Sequence, residues 1–153
     1  MDKFDEYKLF TERVQHRSER RQNSSQIYLT VNTGIFGVVA LLIKDSGLHG
    51  LNLILATIPL IVVGMLVCVI WARTILEFQK IIGWQYEQLR EMENHIKGSF
   101  RMHNKEWQKF YNPTTRKKNF SFSGLETWMP IFFISLYIIY SIGMIIVVSL
   151  NLI

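Results

Sequence analysis

The sequence predicts an all-α integral membrane protein with three transmembrane helices and a cytoplasmic helical layer. Three observations predict it. Residues 26–43, 47–72 and 127–153 contain no Asp, Glu, Lys or Arg. A helix crossing the roughly 30 Å hydrocarbon core needs about 20 mostly apolar residues, so the second and third runs are long enough and the first sits at the short limit. Hydrophobic residues make up 49% of the 153 positions, and a chain this short has too little polar surface to wrap three such helices in a soluble fold. Finally, 16 of the 17 Lys and Arg residues lie in two segments, 1–25 and 73–126, with Lys44 alone between them. Alternating spans put both segments on one side, and the positive-inside bias makes that side the cytoplasm.

Taken in order, residues 1–25 form a cytoplasmic amphipathic helix with an apolar stripe of Phe4, Tyr7, Phe10 or Thr11, and Val14. Asn23, Ser24 and Ser25 either cap the first span or lie inside one continuous helix. The first span, 26–43, is retained rather than cleaved, since a long polar stretch precedes it and no A-x-A site follows. It carries Asn32, Thr33, Gly34 and Gly37. Small residues four apart let helix backbones approach closely in lipid. A polar side chain such as Asn32 at that depth faces either a partner helix or a water-filled path.

Lys44 to Gly47 is a turn, and the second span is 51–72. Pro59 predicts a kink there, and Trp71 an aromatic-belt position at the inner interface. Cys68 is the one cysteine, so neither an intrachain disulfide nor a cysteine metal cluster is available.

Residues 73–127 form a cytoplasmic helix and a basic loop. Ile75, Ile82, Leu89 and Ile96 repeat every seven residues, and Phe78, Gln85 and Met92 form a second row. That repeat is the pattern of a helix packed along another, either in its own subunit or across an oligomer. Gln85 on the seam favours the oligomer, because a lone polar seam residue can fix register. The second span is expected to continue as one helix to about Ser99, with Gly83 marking a bend or a close contact. Beyond Arg101 the period fades. Asn112 to Thr115 reads as a turn, Arg116 to Lys118 as a basic cluster, and Phe120 to Ser123 as a short extended stretch. Ser123 and Glu126 have capping-box spacing, and Pro130 suits the start of the third span, 128–152.

In order along the chain stand Tyr7-Lys8-Leu9-Phe10, Arg20-Arg21-Gln22 and Val31-Asn32-Thr33. Then come Trp71 with Ile75 and Phe78, a stretch ending at Glu93, the pair Glu106-Trp107, and Glu126 with Pro130. In this order the chain resembles the RipA-type octameric membrane proteins of bacteria. It is also similar to the small membrane accessory proteins of type VI, RNA-targeting CRISPR loci. The resemblance implies a ring-shaped homo-oligomer, an octamer by analogy, that depolarises the inner membrane during phage attack with an RNA-guided nuclease as functional partner.

Chemistry is sparse. Arg90 and His95 have the R-x4-H spacing of HEPN ribonucleases, in which two such pairs meet at a dimer interface. A solvated helix face with Glu91 and His95 as neighbours explains the same residues. His16, His49, His95 and His103 show no paired ligand spacing, so no metal is expected. No phosphate-binding glycine loop is present either. The expectation is a non-enzymatic protein without cofactor. The net charge of +5 reads as attraction to an anionic inner leaflet rather than to nucleic acid. The function expected is an oligomeric pore or membrane-permeabilising effector of antiviral defence. The alternatives are a non-conducting inner-membrane scaffold and a membrane-tethered ribonuclease.

Overall fold

A computed structural model of the chain describes residues 3–45, 47, 50–96, 98–112 and 122–150. The described residues are almost entirely helical. Helix α1 spans Lys3–Asp45, α2 Leu51–His95, α3 Met102–Glu106 and α4 Phe122–Ser149, with a π-helical turn at Trp107–Tyr111 after α3. Three helices are long and apolar enough to cross a membrane.

Of the two readings of Asn23, Ser24 and Ser25, the continuous helix holds, because α1 runs through them. Other local expectations are revised. Helix α2 ends at His95 rather than Ser99. Gly98 and Arg101 then take positive φ values of 82° and 49°, the left-handed region that stops a right-handed helix. Gly83 lies inside α2, and a Cβ added there meets nothing within 4 Å. Phe122 and Ser123 begin α4 instead of an extended stretch, and Pro130 is therefore inside that helix. Phe120, Ser121 and the basic cluster at Arg116 to Lys118 lie outside the described residues, as does the Pro113 to Thr115 part of the expected turn.

The chain divides into two compact units. The first comprises Met1–Asn23 and Leu76–Leu125. In it α1 and α2 are antiparallel: Tyr7, near the start of α1, bonds to Glu93, near the end of α2. Val14, Ile82 and Leu89 are buried.

The second unit comprises Ser24–Ile75 and Glu126–Ile153. Here α1, α2 and α4 pack as three helices. Ile61, Cys68, Trp71, Ile75, Phe133 and Tyr137 form the core. Tyr28 of α1 stacks on Trp71 at 6.0 Å, and Phe36 stacks on Tyr137 at 4.5 Å. Ser25 bonds Glu126 and Asn32 bonds Tyr137, so α4 runs alongside α1 in the same direction. Trp71 is 2% exposed and so packs inward rather than facing headgroups. Its indole N–H donates to Ser25 Oγ at 3.4 Å.

Candidate functional site

Two buried polar clusters concentrate the chemistry of the chain, one in each unit.

In the second unit the centre is Asn32, which is 0% exposed. Its Nδ2 donates to the Tyr28 carbonyl at 2.8 Å, while Oδ1 accepts from Cys68 Sγ at 3.1 Å and from the Tyr137 hydroxyl at 3.0 Å. One amide thus joins α1, α2 and α4. Among apolar helices such bonds supply a specificity that apolar packing alone lacks. Gly64 makes room for the third member, since a Cβ there would run into the Tyr137 ring. Nearby, Ser25 Oγ donates to Glu126 Oε1 at 2.8 Å.

In the first unit the centre is Glu93, a carboxylate 1% exposed. It accepts from the Tyr7 hydroxyl at 3.1 Å and from the backbone amides of His103 at 3.0 Å and Asn104 at 3.1 Å. These amides open α3 and have no helical acceptor of their own, so Glu93 caps α3 from a different helix. The Asn104 side chain reinforces the cap by donating to the Arg90 carbonyl at 3.1 Å. Burial, the Glu93 charge and the hydrogen bond to it push the Tyr7 phenol up to about 12. Tyr86 is also raised, by burial first and then by Glu106 and Tyr111, with Arg21 opposing. The His103 ring lies against both phenols, with centroids 6.4 Å from Tyr7 and 5.8 Å from Tyr86.

The residues singled out by sequence fall on different faces. Asn32 is inside its own subunit, whereas Thr33, Gly34 and Gly37 are exposed, and a Cβ on either glycine meets nothing within 4 Å. Ile75, Ile82, Gln85 and Leu89 are buried and Phe78, Met92 and Ile96 half-buried within the single chain. The seam is therefore filled by the subunit itself. The Gln85 side-chain oxygen has no hydrogen-bond partner among the described residues. Arg90 lies 4.4 Å over the Trp107 ring, while exposed His95 contacts the Glu91 carbonyl at 2.9 Å. Five residues apart on a helix, the two point about 140° away from each other. No cluster of three or more metal-ligating side chains occurs among the described residues.

A family model for octameric membrane proteins matches residues 4–148. The chain belongs to the octameric membrane protein family. No curated protein and no solved structure matches it. Residues that carry the resemblance to octameric membrane proteins recur at the polar contacts: Tyr7 with Glu93, Trp71 and Glu126 with Ser25, and Trp107 with Arg90. Sequence reasoning missed Gly64, the capping role of Glu93, and Cys68 and Tyr137 as partners of Asn32. Their signal was available on α2. Cys68 stands seven residues before Ile75, and Gly64 seven before Trp71, which extends both seams back into the apolar run.

Proposed function

We propose that this octameric-family chain forms an oligomeric membrane pore, or membrane-permeabilising effector, in bacterial antiviral defence. The observation that carries this reading is the exposed face of α1 at membrane depth. Thr30, Thr33, Gly34 and Gly37 are left uncovered by the chain's own helices. The hydroxyls of Thr30 and Thr33 donate to the carbonyls of Gln26 and Leu29 in the same helix, so neither donor is left unpaired at this depth. Polar and small residues at this depth face a neighbouring helix or a water-filled path. Little of each apolar window is buried within the chain, 11%, 28% and 17% for α1, α2 and α4, which leaves most of that surface for lipid and for other copies.

The inner membrane, with the N-terminus in the cytoplasm, is the proposed location, supported by the 16-to-1 distribution of basic residues. The antiviral setting, with an RNA-guided nuclease as functional partner, rests on the likeness to accessory proteins of RNA-targeting CRISPR loci. No enzymatic step is proposed.

The test is a dye-based membrane-potential assay in expressing cells, paired with an RNA integrity gel. Wild type should collapse the potential and leave RNA intact. The combined variant Thr33→Leu and Gly37→Leu should insert and alter ion flux. Asn32→Leu should instead lower the protein level, because it removes the bond that joins three helices. Intact potential with degraded RNA would sink the pore and favour the ribonuclease. Intact potential and intact RNA, with the protein assembled, would favour the scaffold.

A further inference from the structure

We infer that copies of the chain join head to tail through the first unit, an acidic stripe on α1 of one copy, bordered by Lys8, Arg13 and Arg20, meeting the basic, aromatic segment 100–111 of the next. The inference rests on the oligomeric reading and names a surface for it.

The acidic stripe is a narrow seam that the chain leaves open. Asp5, Glu12 and Glu19 follow one another at seven-residue intervals on α1, with Leu9 and His16 between them, and all five are exposed. A seven-residue repeat brings side chains back to one stripe of a helix. Val14, on the opposite face of α1, is 2% exposed, so this stripe points away from the unit's own packing. His16 lies 3.4 Å from Glu19, whereas no ion pair involves Asp5 or Glu12 among the described residues.

The second surface is of opposite character. Phe100, Met102, Phe110 and Tyr111 are 83%, 70%, 58% and 56% exposed. Arg101, Lys105 and Lys109 are interleaved with them, against a single carboxylate, Glu106. The Lys105 and Lys109 ammonium groups sit 5.8 Å and 5.5 Å over the rings of Phe100 and Phe110. Exposed aromatic, Met and Arg side chains on a short element are the composition of a protein interface.

Both surfaces belong to one unit and are fixed near each other, since Glu93 holds Tyr7 of α1 and the first amides of α3 together. A closed ring of equivalent copies uses a heterologous contact, two different and complementary patches on every subunit. An acidic apolar stripe and a basic aromatic segment meet that requirement. A polyanion such as single-stranded RNA would suit the basic segment alone, but it would lie beside the carboxylates of α1.

The experiment uses the full chain in detergent or lipid nanodiscs, with particle mass as readout and circular dichroism as a check on helix content. Wild type should have the mass of an octamer. Lys105→Glu with Lys109→Glu gives two acidic patches, and Asp5→Lys with Glu12→Lys gives two basic ones. Each pair expressed alone should lose the octamer while keeping its helix content. Co-expressed, the two variants should recover it, because they can alternate around an even-numbered ring. That recovery also shows that both variants fold. Undiminished mass in either variant alone, or failure of the mixture to recover, overturns the inference. A wild-type chain that is itself monomeric sinks the oligomeric reading instead. Wild-type binding of a labelled oligouridine, lost in the lysine variant at unchanged mass, would assign the segment to nucleic acid and overturn the inference too.

Discussion

Glu93 carries a carboxylate into a site that is 1% exposed. Burying a charge without partners costs several kcal/mol, and the usual remedy is a set of hydrogen bonds to the ionised form. Tyr7 and the amides of His103 and Asn104 provide three. The donor side of this arrangement is measurable. The Tyr7 phenol is raised from 10.0 to about 12, burial contributing most and Glu93 next. A raised value means that the folded state holds the proton more tightly than the unfolded chain does. The contribution of Tyr7 to stability is therefore complete below about pH 10 and lost as the pH rises towards 12. Alkaline titration by tyrosinate absorbance, as the difference between wild type and Tyr7→Phe, should show one phenol titrating late. Glu93→Gln should bring it back part of the way, because the charge goes and the burial stays. A Tyr7 titration unmoved by Glu93→Gln would remove the carboxylate from this account.

At the scale of the element, α2 shows what the sequence could and could not reveal. Outside the apolar run its seven-residue rows stand out, because charged residues such as Glu77, Lys80 and Glu87 mark the other faces. Inside the run, residues on every face are apolar, and the same rows become invisible to hydropathy. They continue nonetheless: Thr57, Gly64 and Trp71 are buried on one, Ile61, Cys68 and Ile75 on the other. The three-span architecture was legible from uncharged length alone. The Glu93 cap was not, because its acceptor and its two amide donors lie ten and eleven residues apart across a turn with no periodic signature. Gln85 on the seam pointed to an oligomer contact, but periodicity cannot tell a neighbouring helix in the same chain from one in another copy. With Leu89 at 0% exposure, Leu89→Asp should cost several kcal/mol in the single chain, since it buries an unpaired carboxylate. The expected outcome is a lower melting midpoint and loss of helix content in detergent, beyond any change in mass. A variant that is split into monomers but retains wild-type helix content and midpoint would show that Leu89 faces another copy after all.

The whole molecule has a polarity set by its basic residues, and the proposed orientation is open to direct test. A reporter fused after Asn112 should read cytoplasmic, and one fused after Ile153 periplasmic, in line with the 16-to-1 distribution. A cytoplasmic reading at Ile153 would contradict alternation of three spans.

The Asn32 junction also bears on how the chain is made. The ribosome delivers α1 and α2 well before α4, and 105 positions separate Asn32 from Tyr137. The nascent hairpin of α1 and α2 can already satisfy Asn32 through the Tyr28 carbonyl and Cys68. What it lacks is the third helix, for which it holds a notch at Gly64 and one acceptor, the Asn32 side-chain oxygen. The last span is thus received by a template laid down by the first two. Its register against them is set by where the Tyr137 phenol meets Asn32 and Glu126 meets Ser25, which hydrophobic length alone could not decide.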